Sequence, residues 1–399
     1  MEALPIAAPP ETHADGRKLF IATMLGAIAL RVMVFAAGLL SVHLAPPTAE
    51  PRFNFEHPWI AFDARSYREL ALHGYAPDRK GAPYLGGNTF SLIAYFPLFP
   101  VVTRMLSTVM PIDAAMLMLS NVCSIIGFGF LFDWARRLAG LRTAALCVLL
   151  AATFPGAVAF AAGMTEGPFF MFVAIVLWLL EEDRFFWAAL IAAIAATSRP
   201  TGVALAMLPP VYAWFRQKNT PLPRRLTNVV LLGLVAYSGS IAYEAFLWHR
   251  YQTPTAFFQA QSHWNDLNAE RLQVEAAAHV DRHSLQFLLD TLMRPAGWNR
   301  AMAIPILLVS LAGLFWQKRV PREMFLLPLM IFLMTSLPGG GLRISSVPRY
   351  ESVAAPLFLL VALWLAPRHR TRALVTVLLL QLAIQLYYAA LFPRQIWVG

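Results

Sequence analysis

Charge is scarce in this sequence: of 399 residues, 14% are Asp, Glu, Lys or Arg and 58% are hydrophobic. That balance excludes a fold solvated by water on all sides, because too few polar groups are present to cover it. Cysteine is scarcer still. Cys123 and Cys147 both fall inside apolar stretches, away from any Cys or His at ligand spacing, so they signal neither a metal site nor a redox compartment. Also missing is a small-residue cleavage site after the first apolar run, which predicts a retained first helix instead of a removed leader. The net charge of +10 is not gathered into a basic stripe with interleaved aromatics, so nucleic acid is not the expected partner.

What the chain does have is a series of apolar stretches of near-spanning length from Leu19 to Phe392. The expected spans are 19–44, 113–132, 143–163, 167–180, 185–197, 202–215, 227–249, 301–316, 324–337, 350–366 and 373–392, about eleven with several short. This is an all-α polytopic membrane protein: a tail over residues 1–18, then one transmembrane domain over 19–399. The stretch 90–110 is apolar but holds Pro97, Pro100 and Arg104, and is expected to be re-entrant or interfacial.

Positive charge orients these spans. With 90–110 not crossing, sixteen basic residues share one side in short connections, among them Arg17, Lys18, Arg136, Arg137, Arg142, Arg216 and Lys218. The positive-inside rule then makes the N-terminus cytoplasmic and turns the two long loops, 45–111 and 250–300, outward. Both loops show amphipathic spacing. Asp63, Tyr67, Leu70 and Ala71 follow a helical period before Gly74, and Phe257, Gln261 and Trp264 share a helix face, so short interfacial helices are expected.

Five patterns that can carry chemistry fall on the outer side. They are Phe62-Asp63-Ala64-Arg65-Ser66-Tyr67 with His73-Gly74-Tyr75 and Tyr95-Phe96-Pro97-Leu98-Phe99-Pro100; Met164-Thr165-Glu166-Gly167; Ser198-Arg199-Pro200-Thr201-Gly202; Ala256-Phe257-Phe258 with Gln261 and Trp264; and Ser345-Ser346-Val347-Pro348-Arg349-Tyr350. In this order they resemble the PIG-V type mannosyltransferases, the group that includes the enzyme adding the second mannose of glycosylphosphatidylinositol anchors and its bacterial relatives. The resemblance implies a glycosyltransferase of the C-type (GT-C) fold that takes mannose from a polyprenyl-phosphate carrier at the outer face of a plasma or inner membrane. It also implies that the acid of the first outer loop, here Asp63, is the general base. Two departures stand out: Phe62 where the family has Trp, and Ala94-Tyr95 where it has Ala-Phe.

Elementary chemistry agrees with that role. A glycosyl phosphate already carries a good leaving group, so transfer to a hydroxyl needs one base for the acceptor and a cation for the departing phosphate. Asp63 opens an expected helix, where a plain capping duty is the competing reading. Arg349 follows Gly339-Gly340-Gly341 and precedes a span, at the depth of a lipid phosphate, with Arg343 and Arg199 as weaker candidates and headgroup anchoring as the alternative. Glu166, His73, Tyr67, Gln261, Trp264 and Tyr350 are candidates for gripping sugar or acceptor. Arg31 and Glu244, charged within spans, are expected to be structurally paired. No metal or cofactor is required by the pattern; Asp266 and Asp290 leave a loosely held divalent cation open. The competing readings are a transporter or flippase of a lipid-linked sugar, against which stands the lack of an internal repeat, and a non-catalytic subunit of a glycolipid assembly complex.

Overall fold

The computed structural model describes residues 13–44, 57–75, 89–261, 295–337, 346–396 and 398. All regular structure in these residues is helical. Five helices are long and apolar enough to cross a membrane: α1 (His13–Leu44), α4 (Ile112–Thr153), α9 (Leu222–Tyr251), α10 (Pro295–Phe315) and α14 (Thr371–Leu391) with its flanking turns. Between them lie α2 (Asp63–His73), α3 (Leu98–Leu106), α5 (Glu166–Glu181), α6 (Phe185–Ala196), α7 (Gly202–Ala206), α8 (Leu208–Arg216), α11 (Leu326–Ser336), α12 (Val347–Glu351) and α13 (Ala355–Leu365). The chain is an integral membrane protein.

α4 is a hairpin. At 42 residues it would measure about 63 Å if straight, twice a hydrocarbon core, but Gly140 at φ 80° and ψ 170° breaks it. The two expected spans at 113–132 and 143–163 are therefore its two arms. The second arm stops early, at Thr153, where Pro155 cannot continue the helical bonding. A tight turn over Pro155–Ala161 follows, and the chain bends by 109° into α5.

This break lies at the centre of the molecule, with every residue from 151 to 170 buried. Irregular backbone at membrane depth survives only if other groups serve its carbonyls. Arg31 of α1 donates to Ala157 O at 2.7 Å, and Gln385 of α14 donates to Ala152 O at 3.1 Å and Phe154 O at 2.9 Å. Ser120 of α4 donates to Phe160 O at 3.2 Å. Arg31 thus finds backbone partners, not an acidic one. Glu244 departs from expectation: among the described residues it has no hydrogen bond or ion pair, and it sits half-exposed on α9.

Other expected spans are also interrupted. The stretch 202–215 divides at Met207 into α7 and α8, and 350–366 divides into α12 and α13 because Pro356 forces a fresh helical start. The stretch 90–110 holds a tight turn at 89–94 and the nine-residue α3, too short to cross. Leu98 N donates to Thr197 O at 2.9 Å, docking α3 beside the end of α6, while Val101 and Met105 face outward. α2 ends at Gly74, whose φ of 69° suits a residue without a β-carbon.

Candidate active site

The site begins with a sharp turn. Trp59 is fully buried, stacked between Phe35 at 5.7 Å and Phe392 at 5.6 Å, and it fixes the chain just before α2. Phe62 then takes φ 53°, a left-handed value uncommon for a bulky side chain and costly unless its surroundings impose it. Its ring is held edge-on to Phe392 at 5.3 Å. The turn delivers Asp63 as the first residue of α2.

Asp63 is not spent on capping. Its Oδ1 accepts from the Tyr95 hydroxyl at 3.1 Å and its Oδ2 from Arg349 Nη2 at 2.6 Å. Burial and the nearby Asp63 charge push the Tyr95 phenol well above its ordinary pKa, so it stays a proton donor to the carboxylate. Arg349 comes from α12, which presses so closely on the 155–161 turn that a β-carbon at Gly156 would collide with Pro348 O. That contact fixes where Arg349 sits relative to the central break.

Behind Arg349 sits Glu166, the first residue of α5. Its Oε1 lies 3.0 Å from Arg349 Nε and 3.4 Å from Arg199 Nη2. Gly167 allows this placement, since any side chain there would strike Ser120 O of α4. The Tyr350 ring lies against both guanidiniums, with centroids 5.0 Å from Arg349 and 5.2 Å from Arg199, and Phe169 approaches Arg199 at 5.4 Å. Two carboxylates and two guanidiniums therefore form one charge-balanced chain in the order Asp63, Arg349, Glu166, Arg199.

Exposure separates their roles. The Asp63 side chain is 28% exposed, against 9% for Arg349, 2% for Glu166 and 3% for Arg199. Burial opposes the charge on Arg349, but Asp63 and Glu166 outweigh it and push its pKa further up. Arg199 is less well served: its Nε and Nη1 are buried without a hydrogen-bond partner. Arg349 Nε is likewise buried without a hydrogen bond, but faces Glu166 at 3.0 Å.

The site thus joins Asp63, Glu166, Arg199, Arg349 and Tyr350, four of the five sequence patterns. Tyr67, one turn along α2, contributes its hydroxyl to Thr165 Oγ1 at 3.5 Å, beside Glu166. His73 stands apart, about 15 Å along α2 from Asp63, 3.7 Å from Glu69. Gln261 ends a helical turn whose Ala256 and Ala260 pack with Phe96 and Tyr243, and it makes no described contact with the four charges. Arg343, Trp264, Asp266 and Asp290 lie outside the described residues. Among those described, no group of three or more His, Cys, Asp or Glu converges as a metal site would require. Sequence reasoning missed Tyr95 as a partner of Asp63, although it had registered the hydroxyl as a departure from the family pattern. It also missed Phe169, which carries no signal in the sequence beyond lying one turn after Glu166.

No protein-family profile and no curated protein matches the sequence. Among solved structures the chain is similar to the oligosaccharyltransferase of Archaeoglobus fulgidus, crystallised with Zn and sulfate, at 14% identity and a TM-score of 0.48, over 92% of this chain and 53% of that one. It therefore spans about half the length of that protein. It is also similar to ArnT from Cupriavidus metallidurans bound to undecaprenyl phosphate, at 15% identity and a TM-score of 0.48, over 96% of this chain and 77% of that one. At such identities and scores these likenesses decide nothing about activity, and the functional reading rests on the site.

Proposed function

We propose that this chain is a GT-C type glycosyltransferase that moves a hexose from a polyprenyl-phosphate carrier to a hydroxyl of a lipid or glycan acceptor at the outer membrane face. Mannose is the sugar expected from the resemblance to the PIG-V type enzymes. The observation that carries this reading is the placement of Asp63. It is the most open member of a buried charge chain, and within that chain Arg199 holds two unpaired donors.

The reaction is a single displacement. The acceptor oxygen bonds to the anomeric carbon as the bond from that carbon to the phosphate oxygen breaks, and the electron pair leaves on the phosphate. The acceptor proton passes to Asp63. The other carboxylate of the charge chain, Glu166, is enclosed behind two arginines and is not placed to act as a nucleophile, which supports a single displacement with inversion. The resting contacts also rank the arginines differently from their order in the sequence. Arg199, with Nε and Nη1 unengaged, is the first phosphate ligand. Arg349 holds Asp63 until the phosphate competes for its guanidinium, which frees the base as the leaving group arrives.

The direct test combines purified chain, labelled polyprenyl-phosphate sugars and a membrane lipid extract, with products identified by mass. Labelled glycolipid is the expected result. Sugar moved across a vesicle membrane without a new glycosidic bond would instead establish the flippase, and no turnover with any donor would favour a non-catalytic subunit.

A further inference from the structure

A second site lies at the end of the bundle opposite Asp63. There the first turns of α1, the arm of α4 before Gly140 and the far end of α5 enclose a groove of about 670 Å³. This is the size of a small-molecule pocket. Its walls are apolar, with Phe20, Ile126, Phe130 and Leu141, and its floor is open because Gly129 contributes no side chain. Phe20 is 37% exposed and Ile126 43%, so the groove opens sideways. Trp178, which lines it, is about 18 Å along α5 from Glu166, so the groove shares no residue with the candidate active site.

Its mouth is cationic. Arg17 and Arg136 both line it, and Lys18 and Arg142 are exposed on the flanking turns. The acid present, Asp133, is already satisfied: Arg136 Nη2 donates to it at 2.6 Å, Arg137 Nε at 2.7 Å and Trp178 Nε1 at 2.9 Å. Arg137 also pairs with Glu182. Arg17 has no such described partner. An apolar slot open to the side, with unspent positive charge at the end where spans leave the hydrocarbon, matches one ligand chemistry: an acyl chain below an anionic headgroup.

We propose that this groove binds one anionic phospholipid, its acyl chain along Phe20, Ile126 and Phe130 and its phosphate between Arg17 and Arg136. The proposal is independent of the transfer reaction, and its test reads binding alone. The delipidated full chain in detergent is titrated with phosphatidylglycerol or phosphatidylcholine, and bound lipid is counted by native mass spectrometry. Phosphatidylglycerol should bind once, about fivefold more tightly than phosphatidylcholine, since Arg17, unlike Arg136, is not already held by Asp133 and is left to the headgroup. Rising salt should erode the difference.

Gly129→Leu supplies the decisive variant. A β-carbon there meets no atom within 4 Å, so a side chain can start into the groove without a clash, and leucine favours the helix. It should lose the bound phosphatidylglycerol while keeping the thermal unfolding of the lipid-free chain. Arg17→Gln, a change at an exposed position, should lower the affinity several-fold. Equal retention of both lipids would mean ordinary solvating lipid, and undiminished binding by Gly129→Leu would place the lipid elsewhere. Either result overturns the proposal.

Discussion

A carboxylate that is to take a proton must be ionised, aimed and reachable, and Asp63 meets these needs through three different neighbours. Arg349 and Tyr95 hold its two oxygens, and Phe62 turns the chain so that the carboxylate reaches the open side. Asp63→Asn preserves size and the start of α2 but removes basicity. Turnover should fall by roughly a hundred- to ten-thousand-fold, while donor affinity, measured by equilibrium binding of a labelled polyprenyl phosphate, changes little. Tyr95→Phe removes a hydrogen bond to the base and no charge, so a loss nearer fivefold is expected, as about 1 kcal/mol for that bond implies. The two arginines should separate in the same assays. Arg199→Gln should weaken donor binding most, whereas Arg349→Lys, which keeps charge but not the fork, should fall between wild type and Arg349→Ala in turnover. Unchanged donor binding by Arg199→Gln would return the phosphate to Arg349 and Arg343.

The elements that carry these residues are held by close approaches and by served carbonyls. At Gly156, valine would push α12 and Arg349 off the 155–161 turn; activity should collapse even where the helices still insert, a comparison made by assaying variants matched for expression and monodispersity. Arg31→Met should leave the Ala157 carbonyl buried and unserved, costing about 1–3 kcal/mol in unfolding from detergent. Neither device was legible in the sequence. The apolar, all-helical character was, because long apolar runs admit few other meanings, whereas about eleven spans were expected and five described helices are long and apolar enough to cross. The breaks were not, because hydropathy runs on unaltered from Ala144 to Ala162 while the backbone leaves the helix at Phe154. For the candidate site, polar patterns at span ends picked out Asp63, Glu166, Arg199 and Arg349 one at a time as candidates. Their arrangement as a single chain of charges, with Glu166 facing Arg349 from a distant part of the sequence, depends on helix packing that no local pattern encodes.

Across the whole molecule, charge is divided between two ends. Asp63, Glu166, Arg199 and Arg349 occupy one, while Arg137, Glu182, Arg216 and Glu181 meet at the other. The proposed orientation, with the second end inside, predicts the labelling of single introduced cysteines by an impermeant thiol reagent. Leu72→Cys, at an exposed position on α2, should react from outside, and Asn219→Cys, exposed in the turn after α8, should not. The natural Cys123 and Cys147 are buried and should stay silent. The reverse pattern would invert the topology. The served carbonyls of the central break also impose an order on assembly. Ala152 and Phe154 are bonded by Gln385, and the Asp63 turn leans on Phe392, both contributed by the last described span. A ribosome that has threaded everything up to α13 into the bilayer has therefore made a protein whose middle is still waiting for its end. The candidate site is therefore complete only once α14 has packed against the central break and the Asp63 turn.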